Sequence, residues 1–432
     1  MARDPYPHLR SVDAEAWPGV ARVPEGTLLK AMARRAEANF ARACHRAGIE
    51  LDGEDPDLRI QYDALFLRIA DSGWLGLAES YMAGEWSTPD SSRLVQVLQK
   101  LIDVGYAPRA KRLKPSASLP GELPVDLVRL YSGDGLSHSG GIFASGVPTT
   151  VRESVESYST GRGEPKTHFV DYTSVSEPGE VTRDDLADAQ RRAAGWLLDA
   201  AGVNHGTHLL VYPANGLQAA IQATQRRATV DILTSDSEQY SDLEETLVLE
   251  GAEDSTHVAL VDDPVPGPSQ WRGRYDAIIS IDKLETTSGS ERRAFVGLLD
   301  RLLSNGGRAV FQSLVATENL SSAARDATDV LRAYVWPGLD YPTTKDVHSV
   351  IDKHSSLRVI AETHFGAHYA ASIKQQRSFF DGHLREAAAA GFDQVFRRLW
   401  TFQFALREAL LNAEMVDAVT FTATHRNRGG RR

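Results

Sequence analysis

His208-Leu-Leu-Val-Tyr-Pro-Ala-Asn-Gly-Leu-Gln-Ala-Ala-Ile221 carries the change of hydrophobic period on which the fold turns. Leu209 to Tyr212 is an apolar run of the kind a buried strand needs, and Pro213 to Gly216 supply turn residues. Leu217, Ala220 and Ile221 then recur at helical spacing. Strand, glycine-containing turn and helix open many nucleotide-type sites, where free N–H groups at the helix N-terminus face a ligand. A single glycine is a weak form of that signal, and the same residues also make a plain strand–helix unit that binds nothing.

Outward from this stretch the alternation repeats. Further strand candidates are 229–233, 257–261, 275–281, 308–314, 357–361 and 416–424, with helical spacing between them, as over 291–303 and 381–413. Ala277-Ile-Ile-Ser-Ile281 is apolar almost throughout, as a parallel strand covered on both faces should be. The last candidate alternates Val419, Phe421 and Ala423, a pattern that suits an edge strand. Thr182 is placed to cap a helix that runs to Ala201. Seven strands with helices between them predict an α/β fold with a doubly wound, mostly parallel sheet.

The chain before this region reads differently. Residues 1–26 are rich in proline, glycine and charge and read as an extended arm. A helix is predicted from Thr27 to Ala47, ended by Gly48, with Leu28, Met32, Phe40 and Cys44 as its apolar stripe. Lys30, Arg34, Arg35, Arg42 and Arg46 give it a cationic face, which suits either plain solvation or an anionic lipid surface. Residues 61–70 are strand-like, with Tyr62, Leu65 and Leu67 apolar, and 90–102 is an amphipathic helix. Between 105 and 165 a basic run, Arg109-Ala-Lys-Arg-Leu-Lys114, gives way to Pro, Gly and Ser, with a helical possibility over 151–158. The expected organisation is a smaller amino-terminal domain over 1–104, linker and loops over 105–165, and the α/β domain over 166–432.

A chain of 432 residues suits two domains, and its net charge of −11 argues against a nucleic-acid partner. Membrane contact would need a local basic patch instead. The single cysteine, Cys44, excludes an intrachain disulfide and a cysteine-built metal cluster. No apolar run reaches the length of a membrane span, and Met1-Ala-Arg-Asp-Pro-Tyr-Pro-His8 lacks a signal-peptide core. A cytoplasmic location is expected, peripheral at the inner face of the membrane if the amino-terminal domain binds lipid.

Four further segments occur in one order. They are Gly76-Leu-Ala-Glu-Ser-Tyr-Met-Ala-Gly-Glu-Trp86, Tyr334-Val-Trp-Pro-Gly338 with Pro342, Phe365-Gly-Ala-His-Tyr369, and Arg397-Arg-Leu-Trp-Thr-Phe402. Together they resemble the cyclopropane fatty acid synthase family, which includes the mycolic acid methyltransferases, over roughly residues 58–424. The resemblance implies a Rossmann-like class I methyltransferase domain with a seven-stranded, mostly parallel sheet, and a smaller lipid-associating amino-terminal domain. It also implies S-adenosylmethionine as cofactor and bicarbonate as base, in adding a methyl or methylene carbon to a cis double bond of an acyl chain. The implied partners are a lipid or membrane surface, and a homo-oligomer or a complex with an active methyltransferase.

The family carries an aspartate and several glycines in its first strand–turn–helix. Here Val211, Pro213, Asn215, Leu217 and Gln218 stand at those positions, and Gly216 is the remaining glycine, one place out of register. Side chains at such positions crowd a cofactor, and Pro213 removes a donor. Thr234 and Glu238-Gln239 match a Thr-x-x-x-Glu-Gln pattern after the second strand. The cofactor-binding positions are therefore Asn215, Gly216, Thr234, Gln239 and Asp262, the last facing the adenine or simply turning the chain into Pro264. For the bicarbonate site the resemblance points to Glu285 and Tyr369, with Gln312 where the family has histidine, Ser174 for its cysteine and Leu314 for an aliphatic residue. Gln312 donates a hydrogen bond but relays no proton near neutral pH. Glu285 is also explained as a carboxylate at a helix start, and Tyr369 as a core tyrosine. His364 and His368 have metal-ligand spacing, but Gly366 lies between them in a loop-like setting, so no metal is expected. The expectation is a family member whose cofactor site is impaired, serving as a lipid-binding or partner subunit; the alternative is an active enzyme with a rebuilt turn.

Overall fold

The computed structural model describes residues 6–110, 113–114, 122–159 and 164–426. Part of the basic run at 109–114 and the terminal tail beyond Arg426 lie outside these residues. The chain forms two compact units, and neither is contiguous in sequence. One comprises Met1–Lys114, Glu318–Trp336 and Phe380–Met415; the other comprises Pro115–Thr317, Pro337–Phe379 and Val416–Arg432. The sequence reading placed both boundaries by local composition, which is blind to returning segments such as the last helix.

The first unit is mainly helical. Its long helices are Thr27–Ala47, Ala64–Ser72, Trp74–Ala83, Ser91–Asp103 and Gln394–Asn412, with a two-residue ribbon β1 (Arg59–Ile60) and β2 (Trp86–Ser87). Residues 61–70 are thus mostly helix rather than strand. Ala64, Leu65, Arg68 and Ile69 are buried, one helical stripe that outweighs the short alternation of Tyr62, Leu65 and Leu67. Asp90 caps the helix after it, its carboxylate accepting the Arg93 N–H at 2.7 Å. The helix Thr27–Ala47 buries Ala33, Ala36, Phe40, Ala43 and Cys44. Leu28 and Met32, read as part of the inner stripe, instead stand out at 75% and 39% exposure.

Arg68 organises the interior of this unit. Its Nε donates to both carboxylate oxygens of Glu85 at 3.0 Å. Its Nη1 donates to the carbonyls of Gly19 at 2.7 Å and Arg22 at 3.1 Å, and its Nη2 to that of Val20 at 2.6 Å. The guanidinium is wholly buried, so these partners replace its water shell and tie the amino-terminal arm to the helices.

The second unit is built on a mixed nine-stranded sheet. Its strands are β3 (Pro148–Glu156), β4 (Thr167–Val175), β5 (His208–Val211), β6 (Thr229–Thr234), β7 (Thr256–Leu260), β8 (Tyr275–Ile281), β9 (Leu303–Ala316), β10 (Leu357–His364) and β11 (Val416–His425). The order is β3-β4-β10-β11-β9-β8-β5-β6-β7. The β9-β8-β5-β6-β7 run is parallel, and β11 is antiparallel to both neighbours. Its place between β9 and β10 corrects the edge reading: polar residues in its alternation answer internal partners, as Asp417 answers His364 at 2.7 Å.

The sheet has two strands more than the expected seven. β3 lies in the stretch read as linker, and its residues 151–156 are strand where a helix was considered. Eight of its nine residues are exposed, so it carries no hydrophobic period for a sequence reading to detect. It is held to β4 by the ladder, by Arg152 Nε and Nη2 on Asp171 at 2.7 and 3.0 Å, and by a Thr150–Thr173 hydroxyl contact at 2.8 Å.

Apolar side chains fill both faces. Leu209, Val211, Ile232 and Ile279 meet the helices Leu186–Ala201 and Leu217–Gln225 on one face. Leu210, Ile278, Phe311 and Phe421 meet Gly289–Leu302 and Thr344–His354 on the other. Among the described residues no helix is long and apolar enough to cross a membrane.

Candidate functional site

The carboxyl ends of β5 and β6 face the point where a doubly wound sheet receives ligands. After β5 the chain passes Tyr212 and a cis Pro213 into a short 3-10 turn, Ala214–Gly216, and then the helix Leu217–Gln225. Val211 is fully buried and Asn215 is half-buried. Gly216 has an ordinary φ of −89°. Its lack of a side chain answers a packing demand, since a Cβ would come within 2.8 Å of Val211 Cγ1. A valine where the family has aspartate thus occupies space beneath the turn.

Several donors at this end of the sheet are engaged within the protein. Thr234 Oγ1 donates to Glu122 Oε2 at 2.8 Å. Gln239 Nε2 donates to the carbonyl of Leu123. Asp236 caps the helix Ser237–Leu249 through the N–H groups of Glu238 at 2.9 Å and Gln239 at 3.3 Å. Burial pushes the Glu122 carboxyl up to about 7, against the Thr234 hydrogen bond and the nearby Lys283 charge. Burial likewise pushes the Lys283 ammonium down to about 8, with Nζ 5.3 Å from the centre of the Tyr212 ring. A cavity of about 30 Å³ beside the turn is lined by Leu123, Val125, His138, Asn215, Leu217 and Gln239 among others. Asp262 is exposed just after β7; the preceding Val261 donates its N–H to the Thr234 carbonyl at 2.9 Å, so the fold brings Asp262 beside the end of β6, two strands from the turn after β5.

A second polar cluster lies past the ends of β8 and β9. Glu285 is buried and accepts Ser313 Oγ at 2.7 Å and the Leu314 N–H at 3.1 Å. Burial, and then the charge of Asp282, hold its carboxyl well above the usual range. Asp282 adopts a left-handed φ of 59°, and its Oδ2 lies 2.8 Å from His138 Nε2. Gln312 is buried, and its amide Nε2 has no hydrogen-bond partner among the described residues. Tyr369 is buried against Gly140, where a Cβ would approach the ring to 2.7 Å. The structure therefore groups Glu285 and Leu314 directly and places Gln312 on the same strand end. Ser174 does not join them: it is exposed on β4, three strands from β9, about 14 Å at the usual strand spacing.

Sequence reasoning missed Glu122, His138, Gly140 and Lys283. The first three fall in the stretch taken as linker. Its one available signal was Leu136-Ser-His-Ser-Gly-Gly-Ile-Phe143, where Ile142 and Phe143 have no reason to be apolar in a solvated connector. Both are buried.

The two histidines with metal-like spacing have separate roles. His364 Nδ1 lies 2.7 Å from Asp417 Oδ2 and its Nε2 lies 3.1 Å from Glu362 Oε2, while the other oxygen of Glu362 meets His348. His368, in the helix Gly366–Gly382, accepts the Phe143 N–H at 2.9 Å and donates to the Ser176 carbonyl at 2.8 Å. Among the described residues no group of three or more His, Cys, Asp or Glu side chains is arranged to hold a metal ion.

A model of the family described as mycolic acid cyclopropane synthetase matches residues 179–421, more than half of the chain. The tuberculostearic acid methyltransferase UfaA1 of Mycobacterium tuberculosis is 27% identical over 430 residues, covering 95% of this chain and 96% of that protein. Coclaurine N-methyltransferase, solved with N-methylheliamine and SAH, superposes with a TM-score of 0.51 at 12% identity, over 81% of this chain and 94% of that one. The cyclopropane synthase MmaA2 of M. tuberculosis superposes with a TM-score of 0.49 at 18% identity, over 55% and 85%.

Proposed function

We propose, from the premise that this chain belongs to the mycolic acid cyclopropane synthetase family, that it is a divergent member linked to lipid acyl-chain modification whose S-adenosylmethionine site is impaired. In this reading it serves as a lipid-binding or partner subunit. The observation that carries the reading is the filled cleft after β5. Glu122 takes up the Thr234 hydroxyl, the Leu123 carbonyl takes up the Gln239 amide, and Val125 and Val128 line the cavity beside Asn215 and Leu217. As arranged, these residues do not fit S-adenosylmethionine: Pro213 offers no N–H, Val211 offers no carboxylate, and the Thr234 hydroxyl is spent on Glu122. Losing two or three polar contacts at about 1–1.5 kcal/mol each weakens binding by about thirtyfold to about two-thousandfold.

Calorimetric titration with S-adenosylmethionine should give little heat, and ligand should leave the melting temperature unmoved. A ligand at a hundred times its Kd stabilises by about 2.7 kcal/mol, which a thermal shift would register. A low-micromolar Kd would overturn the reading.

The helix Thr27–Ala47 supports the lipid clause. Exposed Leu28 and Met32 stand beside exposed Lys30, Arg34, Arg35, Arg42 and Arg46, with Glu37 the one acidic residue of the helix. This local positive charge in a chain of net charge −11 suits an anionic surface. Co-sedimentation with phosphatidylglycerol vesicles is expected at low salt and should fall as salt rises. Equal binding to neutral vesicles, or none, would refute it.

A second reading is an active methyltransferase that adds a methyl or methylene carbon to unsaturated phospholipid acyl chains. It is favoured by the full-length similarity to UfaA1 and by the open amide of buried Gln312 beside the Glu285 cluster, a donor suited to a small oxyanion such as bicarbonate. The same titration separates the two readings.

A further inference from the structure

The cleft after β5 is closed by groups that come from far away in the chain. Glu122 precedes Thr234 by 112 positions, and its carboxylate accepts from the Thr234 hydroxyl at 2.8 Å. The next residue continues the engagement, its carbonyl accepting from Gln239. Val125 and Val128, from the helix Val125–Arg129, then line the remaining cavity together with Leu217 and Leu243. Further along, His138 reaches Asp282 at 2.8 Å, so both ends of the segment are fastened to the carboxyl edge of the sheet.

These contacts have the form of ligand recognition. A carboxylate accepts from the Thr234 hydroxyl at the end of β6, the following carbonyl accepts from the Gln239 amide, and Lys283 supplies a nearby positive charge. An apolar flank follows the acid into the cleft. We infer that the segment beginning at Glu122 is the cleft's own occupant, an internal acidic plug that holds the donors otherwise open to an adenosyl ligand. This rests on the reading of an impaired cofactor site and adds the residue that blocks it. A tethered group competes at an effective concentration of about millimolar. If the plugged form makes up about nine-tenths of the molecules, the apparent Kd of a competing ligand rises about tenfold.

Binding of S-adenosylmethionine by the full-length wild type and by Glu122→Ala tests this directly. Weak wild-type binding with at least tenfold tighter binding by the variant supports the plug. Equally weak binding by a folded variant overturns it and leaves the impaired site to the turn residues alone. Tight binding by the wild type overturns both. Amide hydrogen exchange gives an arm that needs no variant. The Val128 N–H of the wild type, which donates to the Pro124 carbonyl at 3.0 Å within the seated segment, should exchange far more slowly than an open loop, and exchange at the rate of an exposed loop would refute the plug even if Glu122→Ala failed to fold.

Discussion

Arg68→Ala is expected to destabilise the helical unit by about 3–5 kcal/mol, the usual cost of leaving one partner of a buried ion pair alone. Glu85 would lose the guanidinium that faces both of its oxygens, and the carbonyls of Gly19, Val20 and Arg22 would lose their donor inside the protein. Five of the seven tryptophans, Trp17, Trp74, Trp86, Trp336 and Trp400, belong to this unit, so indole fluorescence during urea unfolding reports mainly on it. The early transition should move to much lower urea. The double variant Arg68→Met with Glu85→Leu should recover part of the loss, because no charge is then stranded. A single-variant shift below about 1 kcal/mol would mean that water, not Arg68, satisfies Glu85.

The second large effect is expected at His364 and is a function of pH. Burial opposes its charge, but the carboxylates of Asp417 and Glu362 prevail and raise the imidazole from 6.5 to about 9. For Glu362, burial is outweighed by hydrogen bonds from His348 and His364, which bring it from 4.5 to about 2. A raised histidine stabilises fully below its unfolded value of 6.5 and loses that contribution as pH rises through about 9. A depressed carboxylate stabilises fully above 4.5 and loses it as pH falls through about 2. The network is therefore strongest between these limits, at about pH 4.5–6.5. His364→Ala should cost about 3 kcal/mol at pH 6. It should also abolish the alkaline decline expected of the wild type between pH 7 and 9. Urea midpoints at pH 6 and 9 for both proteins check this, and parallel pH dependence in the two would show that His364 is not the titrating group.

The strands legible in the sequence are those with covered faces. β5, β6, β7, β8, β9, β10 and β11 were each located within a few residues, because burial on one or both faces leaves apolar runs. β3 was invisible for the converse reason, being exposed along almost its whole length. Site legibility followed the same division. The turn at Pro213–Gly216 could be found because strand, turn and helix are local. The role of Glu122 could not, because it depends on an approach across 112 positions that no local pattern encodes. Ser174 failed similarly: which strand lies beside β9 is a matter of topology, and β10 and β11 intervene.

The interleaved connectivity of the helical unit constrains how the protein can be made. The helix Gln394–Asn412 packs against Ser91–Asp103 and Trp74–Ala83, yet it is translated about 300 residues after the first segment of that unit ends. At about 5–20 residues per second the ribosome takes about 15–60 s to deliver it. Throughout that interval the nascent amino-terminal helices present an unfilled apolar groove, while the α/β unit is still being synthesised between the two halves. Nascent chains paused before residue 394 should therefore be held by chaperones through their first hundred residues, and the helical unit should close only as synthesis ends.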